Sequence, residues 1–258
     1  MHLLAGTVRR NTMKPCARVL VFFLLASSAA ALKLPDFVKK CSLKDPEFNA
    51  CALKNAREAL PHIVNGLKKF HIPVLDPLIV KEIRAVEGQL NMTGLDIKAE
   101  GMRKAILESI SFDFDQKKVV MEVVVPEAHF SGRYEVSGKL GALPIKGKGT
   151  LDATFYHLYV KYVTTFDLTK HADGQVYLEP KKYKVEFDAK NMKAHLGNLF
   201  NGNKVLGDTM NKFINENWRT LKKELGQPTY DALGSIAHKI LSDAARMVPY
   251  KDLFDDTE

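Results

Sequence analysis

SFDFDQKKVVMEVVVPEAHFSGRYEVSGKL, Ser111 to Leu140, is the stretch that decides the fold class of this 258-residue chain. Within it, Ser111 to Asp115, Lys118 to Pro126 and His129 to Leu140 are rich in β-branched and aromatic residues and tend to alternate apolar with polar positions. That is the pattern of half-buried strands. Asp115-Gln116-Lys117 and Pro126 bound them, and a Gly-rich run from Gly141 to Gly149 follows. Gly149 to Leu168 resumes the alternation, and Ala172-Asp173-Gly174-Gln175 is a hairpin signal between Thr164 to Leu168 and Val176 to Leu178. Strands linked in this way, over about Gln89 to Asp188, predict an antiparallel meander.

Helical periods flank the meander. Leu53, Ala56, Leu60, Ile63, Val64 and Leu67 recur three and four apart between Cys51 and Phe70, which predicts an amphipathic helix. Pro61 should kink or restart it, and His71 to Pro77 should break it. After Asn201-Gly202, the face Leu206, Met210, Phe213, Ile214, Trp218, Leu221 and Leu225 predicts a long helix. Gly226-Gln227-Pro228 is expected to stop it, and a second helix is expected to carry Tyr230, Leu233, Ile236, Ile240, Leu241 and Met247 before Pro249. No low-complexity linker and no solenoid repeat interrupts the chain, so the expectation is a single α+β domain over 32–258.

Residues 1–31 read differently. Arg9, Arg10, Lys14 and Arg18 precede an apolar run, Val19 to Leu25, and then the small residues Ala26 to Ala31. This is the order of a secretory signal peptide, with cleavage after Ala31 or two or three residues to either side. The run is too short to span a bilayer, which takes roughly 20 apolar residues. Secretion into an extracellular fluid is therefore expected. Removing the four basic residues of 1–31 leaves 34 Lys and Arg against 30 Asp and Glu, a net charge of +4. The remaining lysines come as scattered pairs, which disfavours nucleic acid as a partner. Cys16 departs with the leader, leaving Cys41 and Cys51 in an oxidising compartment, where one intrachain disulfide is the simplest pairing. The nine-residue interval between them is not the C-x-x-C redox spacing.

Chemistry-bearing motifs are sparse. The histidines of 32–258 fall in no ligand spacing, so no metal is indicated, and Gly147-Lys148-Gly149-Thr150 lacks the upstream glycine of a phosphate-binding loop, Ala142 standing there instead. No catalytic residue or cofactor is expected, and the chain reads as a non-enzyme. Asn91-Met92-Thr93 is a glycosylation sequon, used or unoccupied. The rings of 155–166 read as sheet-face or core residues, and one hydroxyl among Tyr134, Tyr156 and Tyr159 would be the polar contact of an apolar cavity.

Several segments together resemble the takeout and juvenile-hormone-binding proteins over nearly all of 32–258. They are Asn198 to Gly207 (NLFNGNKVLG) with Phe213 to Trp218 (FINENW), the cysteine pair ahead of a helix, Ile72 to Leu78 (IPVLDPL), Phe130 to Leu140 with Leu143-Pro144-Ile145, and Val248 to Phe254 (VPYKDLF). Ala99 to Leu107 (AEGMRKAIL) departs from the pattern, being more charged and helix-like than the strand the family places there. The resemblance implies a tubular lipid-binding fold, a strongly curved antiparallel sheet wrapped round a long C-terminal helix and enclosing an apolar tunnel. It further implies a monomeric carrier of a small hydrophobic ligand, a juvenile-hormone-like terpenoid, a fatty acid or a related lipid. Tyr134, Tyr156, Tyr159, Phe213 and Trp218 are then the candidate ligand-binding residues. The other expectation to weigh is a protein that acts at its surface, on a receptor or a lipid membrane, as the distantly similar bactericidal/permeability-increasing proteins suggest.

Overall fold

Antiparallel pairing takes up every alternating stretch of the sequence. The computed structural model describes residues 32–256, with the backbone alone for 224–229, and the leader expected over 1–31 lies outside it. Its elements run α1 (Phe48–Ile63), β1 (Leu78–Glu87), β2 (Leu90–Glu100), β3 (Ile106–Asp113), β4 (Lys118–Leu140), β5 (Leu143–Lys170), β6 (Val176–Leu196), α2 (Lys204–Ala245) and α3 (Tyr250–Leu253). The sheet order is β1-β2-β4-β5-β6, with β3 paired to the part of β4 that β2 leaves free.

The expected boundaries at Pro126 and along 141–149 are not strand ends. Pro126 has no N–H to give a ladder, yet β4 runs through it, and β4 and β5 turn back on each other at Gly141 and Ala142 alone. What Pro126 does is shift the phase. Neither it nor His157, the facing residue with φ of 53°, is paired, and on either side the inward-facing set changes parity. On β4 it runs through Val119 and Val125 before Pro126, then through Ala128, Tyr134 and Val136 after it. The same slip recurs at Asp96, φ 51°, between β1 and β2. The register is unchanged through these unpaired positions. It shifts at Leu95/Lys98 between β2 and β4, Leu107/Ser109 between β3 and β4 and Thr164/Phe166 between β5 and β6. Bulges of this kind bend long strands, β5 alone measuring about 92 Å if straight, into a curved sheet. β1 was not foreseen. The helix-like stretch within 99–107 folds as a single 3-10 turn, Met102–Lys104, between β2 and β3.

The stop expected at Gly226-Gln227-Pro228 does not hold either. α2 is one helix of 42 residues, about 63 Å long. A proline inside a helix forfeits one backbone bond, and here the helix is packed on the sheet on both sides of it. α2 lies against β6 and also meets β1, the two edge strands of the path, so the helix bridges the gap the curled sheet leaves.

Asparagines make that bridge. Asn211 accepts from Leu196 N–H at 2.8 Å and donates to Leu196 C=O at 3.0 Å, and Asn215 does the same with Ala194 at 2.8 and 2.7 Å. Each carboxamide mimics a neighbouring strand and satisfies an edge that would otherwise be open. α1 uses the device on β3, where Asn49 accepts from Phe112 N–H at 2.8 Å and donates to its C=O at 3.4 Å. α1 keeps Pro61 in its last turn and ends at Ile63, short of Phe70.

Two apolar clusters shut the ends. At the turn end, where β1 meets β2 and β4 meets β5, Leu90, Val136, Leu140, Ile145, Leu199 and Met210 are buried together. At the termini end, Phe48 of α1 packs on Phe112, Phe114 and Phe254, and the Cys41–Cys51 disulfide ties α1 to the segment before it.

Candidate ligand-binding interior

Between those ends, the concave sheet face and α2 enclose a middle stretch with different packing. Residues across a ladder share a face, so Met121, Val123, Val125, Phe155, Leu158 and Val160 follow from the register as inward. All but Val125 are only half-buried; Met121 packs on the cluster of Val119, Phe166 and Leu178, and α2 meets the sheet chiefly at β6 and β1. A core packed to crystal density would bury them. The two clefts described lie elsewhere. One of about 340 Å³ sits outside the turn end, lined by Glu87, Leu90, Lys139 and Leu140 among others, and one of about 180 Å³ lies between α1 and β3.

One polar cluster stands on this interior. Tyr162, which is 5% exposed, points inward from β5, and its hydroxyl lies 2.7 Å from Nδ1 of His238 on α2. Tyr183 stacks on the same imidazole, ring centroids 4.3 Å apart, and Ser242 Oγ lies 3.4 Å from Nε2. Burial, and secondarily the Arg246 guanidinium, hold the His238 pKa below its ordinary value, and burial pushes the Tyr162 hydroxyl up. Both groups are therefore neutral near pH 7, and a neutral pair solvates an uncharged oxygen better than an ion. Gly234 permits the close approach of α2, because a Cβ there would fall 2.6 Å from Val185 Cγ2.

The sequence candidates divide. Tyr134 is buried and inward, but its hydroxyl donates to Gly197 C=O at 2.8 Å and is spent on the turn-end plug; Gly147 makes room for it, since a Cβ there would lie 2.7 Å from the oxygen. Tyr156 and Tyr159 face outward, a correction to the idea that either hydroxyl looks into a cavity. Tyr156 pairs across the ladders with exposed Glu127 and Asn191. Tyr159 lies beside the outer-face Glu122–Lys161 ion pair, and burial together with Glu122 raises its pKa. Phe213 packs on the turn-end cluster, and Trp218 is buried with the Arg219 guanidinium 4.6 Å from its ring centroid. The structure thus gathers Tyr134 and Phe213 into the plug, sets Trp218 farther along α2, and leaves the polar position to Tyr162, Tyr183 and His238. Tyr162 could have been found by carrying the strand period on from Phe155 with a slip at His157.

Asn91 is exposed on β2 near the turn end, as a usable sequon requires. Among the described residues no group of three or more His, Cys, Asp or Glu is placed to hold a metal, and no helix is long and apolar enough to cross a membrane.

One long helix meets both edge strands of the curled antiparallel sheet. The sequence profile of the haemolymph juvenile hormone binding protein family matches residues 19–255. The chain belongs to that family. Among solved structures, Takeout 1 of Epiphyas postvittana superposes with a TM-score of 0.74 and 30% identity, covering 84% of this chain and all of that one. Two curated relatives are the circadian clock-controlled proteins daywake of Drosophila melanogaster and Drosophila yakuba. The first is 27% identical over 86% of this chain and 88% of its own length, the second 25% over 87% and 90%. The α+β architecture read from the sequence is the family's own, a curled antiparallel sheet with helices in one domain.

Proposed function

We propose that this chain is a secreted, non-enzymatic carrier of a small apolar molecule, held between the concave sheet face and α2. A juvenile-hormone-like terpenoid, a fatty acid or a related lipid fits this reading. The observation that carries it is the row of inward apolar side chains left half-buried in the middle of a sheet whose ends are shut. Family membership supports it, since the family is described as binding juvenile hormone in haemolymph. Transferring about ten methylenes from water contributes about 8 kcal/mol, micromolar affinity before association costs, so no charge is needed to hold such a ligand. Tyr162 and His238 would orient it through one neutral oxygen, a hydroxyl, ester or carbonyl.

Native mass spectrometry of the protein secreted from insect cells is the test. The expected spectrum contains a population heavier by one apolar ligand, which is recovered chemically unchanged after prolonged incubation. Empty protein that also fails to displace a fluorescent fatty acid with any lipid or terpenoid removes the carrier reading, and a converted ligand removes the non-enzymatic one.

A further inference from the structure

The turn end carries exposed apolar side chains that its buried plug does not need. Val205 is 75% exposed, Leu206 50% and Leu143 40%; they come from the N-terminus of α2 and from the β4–β5 turn, segments far apart in sequence. Three facts place them together. Leu140 pairs with Leu143 across the turn, Leu140 and Leu199 are buried in one cluster, and Gly207 of the first helical turn lies against Leu199. Leu143 has the strand parity of Ile145 and is exposed to solvent.

Cations ring these side chains. Lys139 and Lys146 are exposed on the outer side of the same hairpin with no carboxylate partner among the described residues, and Lys204 opens α2 in an ion pair with Asp208 at 2.5 Å. The acids near this end include Asp208, paired with Lys204, Glu135, paired with Lys148, and Glu87, which lines the turn cleft with one carboxylate oxygen buried. Val86 stands outside the patch, facing Asn91 of the sequon across the β1–β2 ladder. The hairpin at the opposite end offers a contrast. There Leu168 and Val176 are exposed too, but among charges of both signs: Asp167 paired with Lys117, Asp173, and Lys170 opposite Val176.

We infer that the turn end docks on the surface of an anionic phospholipid bilayer, with Leu143, Val205 and Leu206 entering the headgroup boundary and Lys139 and Lys146 meeting lipid phosphates. Large apolar side chains in a ring of lysine are what such an interface takes up, and neither element suffices alone. A second copy of the chain fits less well, since the lysine ring would face itself. The inference rests on the carrier reading for its purpose, because a protein that exchanges apolar cargo must meet the membrane that stores it. The contact itself does not depend on that reading.

The test uses full-length secreted protein and flotation with phosphatidylcholine vesicles, with and without phosphatidylserine. The wild type should float with the anionic vesicles, and moderate salt should weaken the association. V205E/L206E should bind about tenfold less. Glutamate suits the first turn of a helix, so this variant is expected to keep the wild-type Tm. L168E/V176E at the opposite hairpin should float like the wild type. Indifference of the wild type to anionic vesicles, or equal losses in both variants, overturns the proposal. Displacement of a fluorescent fatty acid, measured without vesicles on all three proteins, separates the two readings. Probe binding without flotation leaves the carrier and removes the docking surface; flotation without probe binding does the reverse.

Discussion

The two ends of the tube are closed by different means. At the termini end a disulfide, an aromatic cluster and the first and last described segments converge: Leu32 N–H donates to Met247 C=O at 3.2 Å and Asp255 N–H to Cys41 C=O at 2.9 Å. At the turn end a mixed cluster, aliphatic side chains with Tyr134, Phe200 and Phe213 among them, is held by two asparagines and by no disulfide. Crosslinking constrains the unfolded chain, whereas an end held only by packing and a few side-chain hydrogen bonds lacks that constraint. The difference teaches that one end is covalently fixed and the other is not, with the half-buried middle between them.

The largest effect that could break this contrast lies at the fixed end. Phe48→Ala empties the site beneath Phe112, Phe114 and Phe254 and should cost about 3–5 kcal/mol in urea unfolding. A cost below about 1 kcal/mol would mean that the aromatic cluster is not what holds that end.

Asn215→Leu sharpens the contrast from the other side. It strands the Ala194 N–H and C=O against an apolar side chain and should cost about 1–3 kcal/mol. Hydrogen exchange should quicken at the 194 and 196 amides and stay unchanged at the 112 amide, which Asn49 holds. Uniform acceleration would show that the two ends open as one.

Acid acts on both regions with one sign. Glu179, near the fixed end, is held down to about 2 by Lys181 first and His171 second. A carboxyl with a depressed folded pKa contributes stability above its ordinary 4.5 that is lost as pH falls toward about 2, so Glu179→Gln should flatten that limb of the stability curve. His238, in the middle, has its folded pKa lowered, so the unfolded chain takes the proton first and stability declines as pH drops below the ordinary 6.5. His129 on the outer face runs the other way. Asp152 chiefly, and Glu100, raise its pKa, and its contribution is present below 6.5 and lost as pH rises through the folded value. The smallest expected change is in Tyr162→Phe, about 1 kcal/mol of stability or less, with loss of the preference for an oxygenated over a plain hydrocarbon ligand.

Much of the architecture was legible because period and turn chemistry are local. The hairpin at Asp173-Gly174, the turn at 115–117 and the flanking helices needed only neighbours along the chain. Phase was not legible. Alternation names two faces without saying where one becomes the other, and the slip at Pro126 and His157 is fixed by a partner strand about 30 residues away. Plain alternation would put Tyr156 and Tyr162 on one face, and the slip between them is what turns Tyr162 inward and Tyr156 out. β1 escaped for the same reason, its alternation slipping at Lys81, opposite Asp96. Pro228 misled in another way: sequence shows the bond a proline forfeits, and only the fold shows the packing that keeps α2 continuous through it.

The central claim is that the ligand lies inside, against the parity set by the slip. A fatty acid carrying a diazirine near its methyl end, photolysed in the protein and mapped by peptide mass spectrometry, tests it directly. Label on Met121, Phe155 or Val160 and on the facing side of α2 is the predicted result. Label confined to the outer face around Tyr156 and Tyr159, or spread without preference over both faces, would contradict it.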